Sequence, residues 1–187
     1  MDSYNRDRYC CIEYILSIFF WPKKRKNDTI KTSMRVMRNY TLVIGIFTIL
    51  AIVFFITRLY HLTSLPIFTD EAIYLRWAQI AKNDATWRFI SLTDGKQPMF
   101  VWLVIPFMKF IHDPLMAGRA VSVMAGFFSL VGLFFLGKEL FKSMWVGLLA
   151  AFLYLIFPMG VVYDRMALYD SLVAAFLSGR FMEKFFL

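Results

Sequence analysis

The chain has 187 residues, of which 59% are hydrophobic and 19% aromatic, with a mean hydropathy of +0.58. Soluble domains hold about 45–50% apolar residues even with Gly counted, and here the excess lies in long runs, which excludes an ordinary soluble domain and predicts membrane segments. The net charge is +8, but the cations gather beside apolar runs, at Lys23, Lys24, Arg25 and Lys26 and again at Lys31, Arg35 and Arg38; that is the placement of cytoplasmic anchors, and with no nucleic-acid-binding motif present it argues against a nucleic-acid partner.

Residues 1–39 read as a cytoplasmic basic leader. Ile12 to Trp21 is apolar but covers only about half a membrane as a helix, and lacks a cleavage site, so it is expected to lie on the membrane surface. Met34 or Met37 offers an alternative start. Cys10 and Cys11 are adjacent, which disfavours a disulfide, and nothing near them has metal-ligand spacing. The sequons at Asn27 and Asn39 fall on the presumed cytoplasmic side. Residues 40–187 are then one membrane module. Tyr40 to Ile56 is an uncharged run long enough, with its flanks, to span and emerge outside near Arg58.

Residues 58–119 form a long outer loop. Within it, Asp70 to Lys82 has helical periodicity, with Ile73, Trp77, Ile80 and Ala81 on one face, and predicts an amphipathic surface helix. Pro98 to Ile111 is apolar but has only 14 residues, too few to cross, and is expected to be a second interfacial helix. Ala120 to Gly137 and Met144 to Val162 are spanning segments joined by the basic loop around Lys138 and Lys142. A further helix starts after Leu172 and is expected to be interrupted by Arg180, Glu183 and Lys184. The fold class that results is all-α, polytopic, with about three complete transmembrane helices plus a truncated fourth and two interfacial helices. Gly126, Gly132, Gly137 and Gly147 suit close helix packing.

Three polar islands can carry chemistry. Asp70-Glu71 opens the first surface helix, where carboxylates either cap and complement the helix dipole or, held ionised, accept a proton from an attacking hydroxyl. Asp164 to Asp170 lies between apolar segments, where acids are costly and mark function, or simply pair with Arg165. Asp94-Gly95 reads as a turn that presents Lys96, either solvated or available to a phosphate. His61 and His112 are isolated, so no metal site is expected from them. Arg76 is a solvent-facing charge or a phosphate contact.

These features occur in an order that resembles the N-terminal module of GT-C membrane glycosyltransferases, the branch that includes protein O-mannosyltransferases and the lipid A aminoarabinose transferase. Thr57-Arg58-Leu59 closes the first helix; Asp70-Glu71-Ala72 with Tyr74 is similar to the family's Asp-Glu motif; Gln97-Pro98 with Trp102-Leu103 is similar to its Pro-aromatic segment; Arg119-Ala120 opens the next helix; and Arg165 and Asp170 resemble its second acidic site. Lys96-Gln97 departs from the aminoarabinose enzyme's pattern. The resemblance implies a sugar transferred from a polyprenyl-phosphate donor to an unspecified lipid, glycan or protein acceptor at the outer face of a multi-pass cell-membrane protein. It implies Asp70, Glu71 and Asp170 as catalytic residues, and Lys96, Arg165, Arg119 and Tyr74 as substrate-binding ones. It leaves a divalent cation open. Family members continue through more helices, so this chain is expected to be an incomplete fragment, too short for activity alone. The competing readings are a non-enzymatic helical membrane protein that binds lipid or partner helices, and, more remotely, a transporter, which should instead show polar groups at broken mid-membrane helices.

Overall fold

The computed structural model describes the backbone of residues 26–186 and the side chains of residues 39–180. It divides into two compact units, residues 1–42 and 43–187. The described part of the first unit is the beginning of helix α1 (Lys26–Leu59). The expected surface segment Ile12 to Trp21, with Cys10 and Cys11, lies outside the described residues. The helix begins at Lys26, within the segment read from sequence as the basic leader.

The second unit holds the end of α1, then α2 (Thr69–Asn83), two short 3-10 turns (Ala85–Trp87 and Ile90–Asp94), α3 (Met99–Phe110), α4 (Pro114–Phe141), α5 (Met144–Ile156), α6 (Pro158–Tyr163) and α7 (Asp170–Phe186). No strand occurs among the described residues. Two helical stretches, Asn39–Leu59 and Pro114–Phe141, are long and apolar enough to cross a membrane. At 1.5 Å per residue α3 is about 18 Å long, well short of a hydrocarbon core of about 30 Å.

Two expectations need correction. The expected continuous span from Met144 to Val162 is broken: α5 stops at Ile156, Phe157 is extended (φ −65°, ψ 115°), and Pro158 begins α6. Proline lacks the N–H that would continue the ladder and drives its predecessor out of the α region. Conversely, Arg180, Glu183 and Lys184 do not interrupt α7, which runs through to Phe186. Arg, Glu and Lys are good helix formers, so their charge limits where a helix can be buried rather than whether it forms.

The face of α2 packed inside the protein differs from the apolar stripe read from the sequence, as a helix resting on a membrane allows. The buried residues are Glu71, Tyr74, Leu75, Ala78 and Ala81, whereas Ile73, from the expected face, is 37% exposed. Ala78 and Ala81 let α2 approach α3, whose inward residues are Phe100, Val101, Val104 and Met108. Ala117 and Val121 of α4, with Ala167 and Leu168 from the turn before α7, complete this core. A second core joins α1, α4 and α5 through Val43, Phe54, Leu130, Phe134, Leu148 and Ala151.

The glycines of α4 set the spacing. A methyl group on Gly132 would strike Ser178 of α7, and one on Gly147 of α5 would strike the carbonyl of Phe134. Gly126 has no room either, because the carboxyl group of Asp164 occupies the place of its missing side chain. Small residues thus bring helix backbones together where lipid supplies no hydrophobic drive for association.

Candidate active site

The site is built where the N-terminus of α2 meets the turn between α6 and α7. Glu71, at the third position of α2, accepts from the Phe68 N–H through Oε2 at 3.4 Å, closing the helix start on itself. Its Oε1 accepts from the Ala167 N–H at 2.8 Å, which ties α2 to the α6–α7 turn. Both oxygens also meet the guanidinium of Arg119 on α4, from Nε at 2.7 Å and Nη2 at 2.8 Å. Arg119 spends its remaining N–H groups on the carbonyls of Leu62, Leu65 and Pro66. Neither side chain reaches solvent. Burial alone would raise the Glu71 pKa, but the hydrogen bonds from Arg119 and Ala167 outweigh it and hold the carboxyl below its ordinary value. Of the residues expected at the site, these two are fully engaged with one another and with backbone.

Asp70, next to Glu71, faces differently and is half-buried. One turn further along, the Tyr74 ring packs edge-on against Phe100 of α3 and Tyr169, with centroids 5.9 Å away in each case. The turn at Asp94-Gly95 forms as expected: Gly95 adopts the left-handed conformation at φ 68°, which a glycine takes without strain, and its N–H caps the carbonyl of Leu92. That turn delivers Lys96, whose Nζ lies 5.5 Å from the Tyr74 ring and 5.9 Å from the Tyr169 ring. Cations are attracted to aromatic faces at this range.

The Tyr74 hydroxyl is buried and has no partner at hydrogen-bonding geometry. It still sits close enough to Lys96 to act electrostatically. The phenol raises the pKa of Lys96 above an ordinary lysine's, and Asp70 adds to the effect. Burial raises the Tyr74 phenol, with Lys96 acting against it. Asp70, Tyr74, Lys96 and Tyr169 therefore form one electrostatic neighbourhood. Asp170 follows Tyr169 directly and is exposed in the first turn of α7.

The second island is organised otherwise than by the pairs weighed from sequence. Arg165 forms no ion pair with Asp164 or Asp170; it donates through Nη2 to the carbonyls of Tyr60 and His61 at 2.9 and 2.8 Å. Its Nε is buried without a partner. Asp164 is buried, 3.6 Å from Arg58 Nε at the end of α1, and accepts from the Tyr154 hydroxyl at 3.0 Å. Burial raises the Asp164 carboxyl to about 6, against the opposing pull of Tyr154 and Arg58. Arg58 was legible only as the end of the first helix; nothing in the local sequence pointed to an acid as far along the chain as Asp164. Among the described residues no group of three or more His, Cys, Asp or Glu converges to hold a metal.

Residues 95–181 match the family of dolichyl-phosphate-mannose-protein mannosyltransferases. This matched stretch, just under half of the chain, is similar to GT-C glycosyltransferases of that type. The matched stretch carries Lys96, Arg119, Asp164, Arg165 and Asp170, whereas α2 with Asp70, Glu71 and Tyr74 precedes it. No curated protein and no solved structure matches the chain. That match and the two helices long and apolar enough to cross a membrane point the same way, toward a membrane protein of the glycosyltransferase type.

Proposed function

We propose that the chain is a module of an enzyme that transfers a sugar from a polyprenyl-phosphate donor to an acceptor hydroxyl at the outer face of the membrane, with this module's reacting groups gathered around Asp70 and Lys96. The single observation that carries this reading is the position of Lys96: a cation held against Tyr74 and Tyr169, beside Asp70, at the meeting point of α2 and the α6–α7 turn. In this reading Asp70 takes the proton from the acceptor hydroxyl as its oxygen attacks the anomeric carbon. The bond from that carbon to the phosphate oxygen breaks, and Lys96 meets the charge left on the departing phosphate. Tyr74 and Tyr169 position Lys96. Asp170, exposed at the rim, orients the acceptor, and Arg165 offers its unpartnered Nε to the same phosphate.

Glu71 and Arg119 have another part in this proposal. Their mutual bonds leave neither free for substrate, so they fix the start of α2 and thereby aim Asp70. The loop carrying α2 and α3 lies outside the cell membrane in this scheme, and the Lys138–Lys142 segment inside.

Donor binding tests the reading directly. The purified full chain should retain polyprenyl-phosphate-mannose, Lys96→Gln should weaken retention about 10-fold or more, as expected for a lost charge-assisted contact, and Lys96→Arg should keep part of it. Retention unchanged by Lys96→Gln would remove the phosphate role from this residue.

A further inference from the structure

About 18 Å along α2 from Asp70, as twelve residues of helix measure, a second polar region surrounds Lys82. Two clefts meet there. One, of about 290 Å³, lies between the C-terminal half of α2 and the α3–α4 turn and is lined by Arg76, Lys82 and His112. The other, of about 490 Å³, lies across α3 and is lined by Lys82, Arg88 and Lys109 together with Phe89 and Trp102. Neither lining contains a carboxylate. Arg76, Lys82, Arg88 and Lys109 make no ion pair among the described residues.

The nearest acids in sequence are occupied elsewhere. Asp84 accepts from the N–H and hydroxyl of Thr86, and Asp113 caps α4 at the Leu115 N–H. The helix C-termini account for part of the arrangement: Lys82 is in the last turn of α2 and donates to the Met108 carbonyl at 3.1 Å, and Lys109 is in the last turn of α3. A helix end satisfies about half a charge, and it explains none of Arg76, Arg88 or His112. The apolar side of the second cleft is fixed too. The Trp102 indole donates to the Arg88 carbonyl at 2.7 Å and packs edge-on with Phe89, yet both rings remain about half exposed.

We propose that these joined clefts bind the phosphate of an anionic phospholipid, separately from the Asp70–Lys96 site. The cations supply the phosphate contacts, shared through Lys82. The exposed Phe89 and Trp102 rings favour a lipid-borne phosphate over a free one, because such rings rest at the level of headgroups with one face toward acyl chain. The helices α2 and α3 are thereby held at a fixed depth and angle on the bilayer.

The full chain in nanodiscs tests this without any donor or transfer reaction. Phosphatidylglycerol should co-purify and be counted by native mass spectrometry, and should raise the thermal unfolding midpoint relative to phosphatidylcholine alone. Lys82→Gln with Arg88→Gln should weaken phosphatidylglycerol binding roughly 10- to 30-fold, at about fivefold per charge removed near a surface. Arg76→Gln alone, on an exposed side chain that packs into no core, should weaken it about fivefold. Lys96→Gln should leave it unchanged, which separates this site from the proposed donor site. Equal stabilisation by phosphatidylcholine, or phosphatidylglycerol binding that survives the double substitution, would overturn the proposal. Equal protection by millimolar inorganic phosphate would overturn the lipid assignment.

Discussion

Glu71 and Arg119 lie 48 residues apart, and their charged groups meet edge to edge, at 2.7 and 2.8 Å, with both side chains closed off from solvent. The pair joins three parts of the molecule, because Glu71 also holds the Ala167 N–H and Arg119 also holds the carbonyls that follow α1. A single buried ion pair thus sets the position of the helix that carries Asp70.

Removing one partner should be costly. Arg119→Met leaves Glu71 as a buried uncompensated carboxylate, and we expect a loss of about 3–5 kcal/mol in unfolding free energy. The double variant Glu71→Gln with Arg119→Met should recover part of it, since no charge is then stranded. Thermal or denaturant unfolding in detergent micelles measures both; additive losses would show that the two residues do not act as a pair.

Asp70→Asn separates a chemical part from a structural one. An amide keeps the shape but neither carries the charge nor takes a proton. In an enzyme completed with further membrane helices, sugar transfer should fall about 10²- to 10⁴-fold. Stability should change by no more than about 1 kcal/mol, the usual worth of a carboxylate in a first helical turn. Near-normal transfer would leave Asp70 as a helix-terminal charge alone.

Gly126→Ala introduces one methyl group where the Asp164 carboxyl sits. The backbone of α4 and the α6–α7 turn must part to admit it, for a cost of about 1–3 kcal/mol. Gly45→Ala, at a glycine with open space around it, should instead be neutral or slightly stabilising. Comparable losses at both positions would refute the packing argument.

Asp164 and Glu71 should give the protein opposing acid-range responses. Asp164, raised to about 6 from an ordinary 3.8, binds its proton more tightly when folded; its contribution is fully present below about pH 4 and is lost as pH rises through 6. Glu71, lowered from 4.5, contributes above that value and loses its contribution as pH falls through the folded-state pKa. The unfolding midpoint of Asp164→Asn, relative to the unsubstituted protein, should therefore improve as pH goes from 4 to 7, by of order 1–3 kcal/mol in free energy. Parallel profiles would exclude this titration.

Much of the helical layout was legible because its signals are local. The ends of α2 and α3 fall within a residue of the positions expected, Asp94-Gly95 turns as such pairs do, and the glycines of α4 sit at helix contacts. The break at Pro158 carried its own signal, outweighed in our reading by the length of the apolar run. The inward face of α2 could not be read from hydrophobicity, because two of its members are a glutamate and a tyrosine whose polar or aromatic partners lie on other elements. Likewise, the pairing of Arg119 with Glu71 and of Arg58 with Asp164 depends on chain segments far apart in sequence. Periodicity carries no information about such partners, and both arginines had to be placed by the fold. Asp70 and Lys96 were each identified from their immediate neighbours; that they share surroundings with Tyr74 and Tyr169 was not.

Arg58 has one further consequence, for the order in which the protein assembles. Its Nη1 donates to the Leu155 carbonyl in the last turn of α5, 97 residues later in the chain, and its carboxylate neighbour Asp164 comes later still. At a synthesis rate of about 5–20 residues per second, a nascent first helix therefore holds this guanidinium for about 5–20 s before either partner has been made. During that interval the cation must stay in water or among headgroups, so the first helix cannot settle to its final depth on insertion. It reaches that depth only when α5 and the turn after α6 arrive to draw the arginine in.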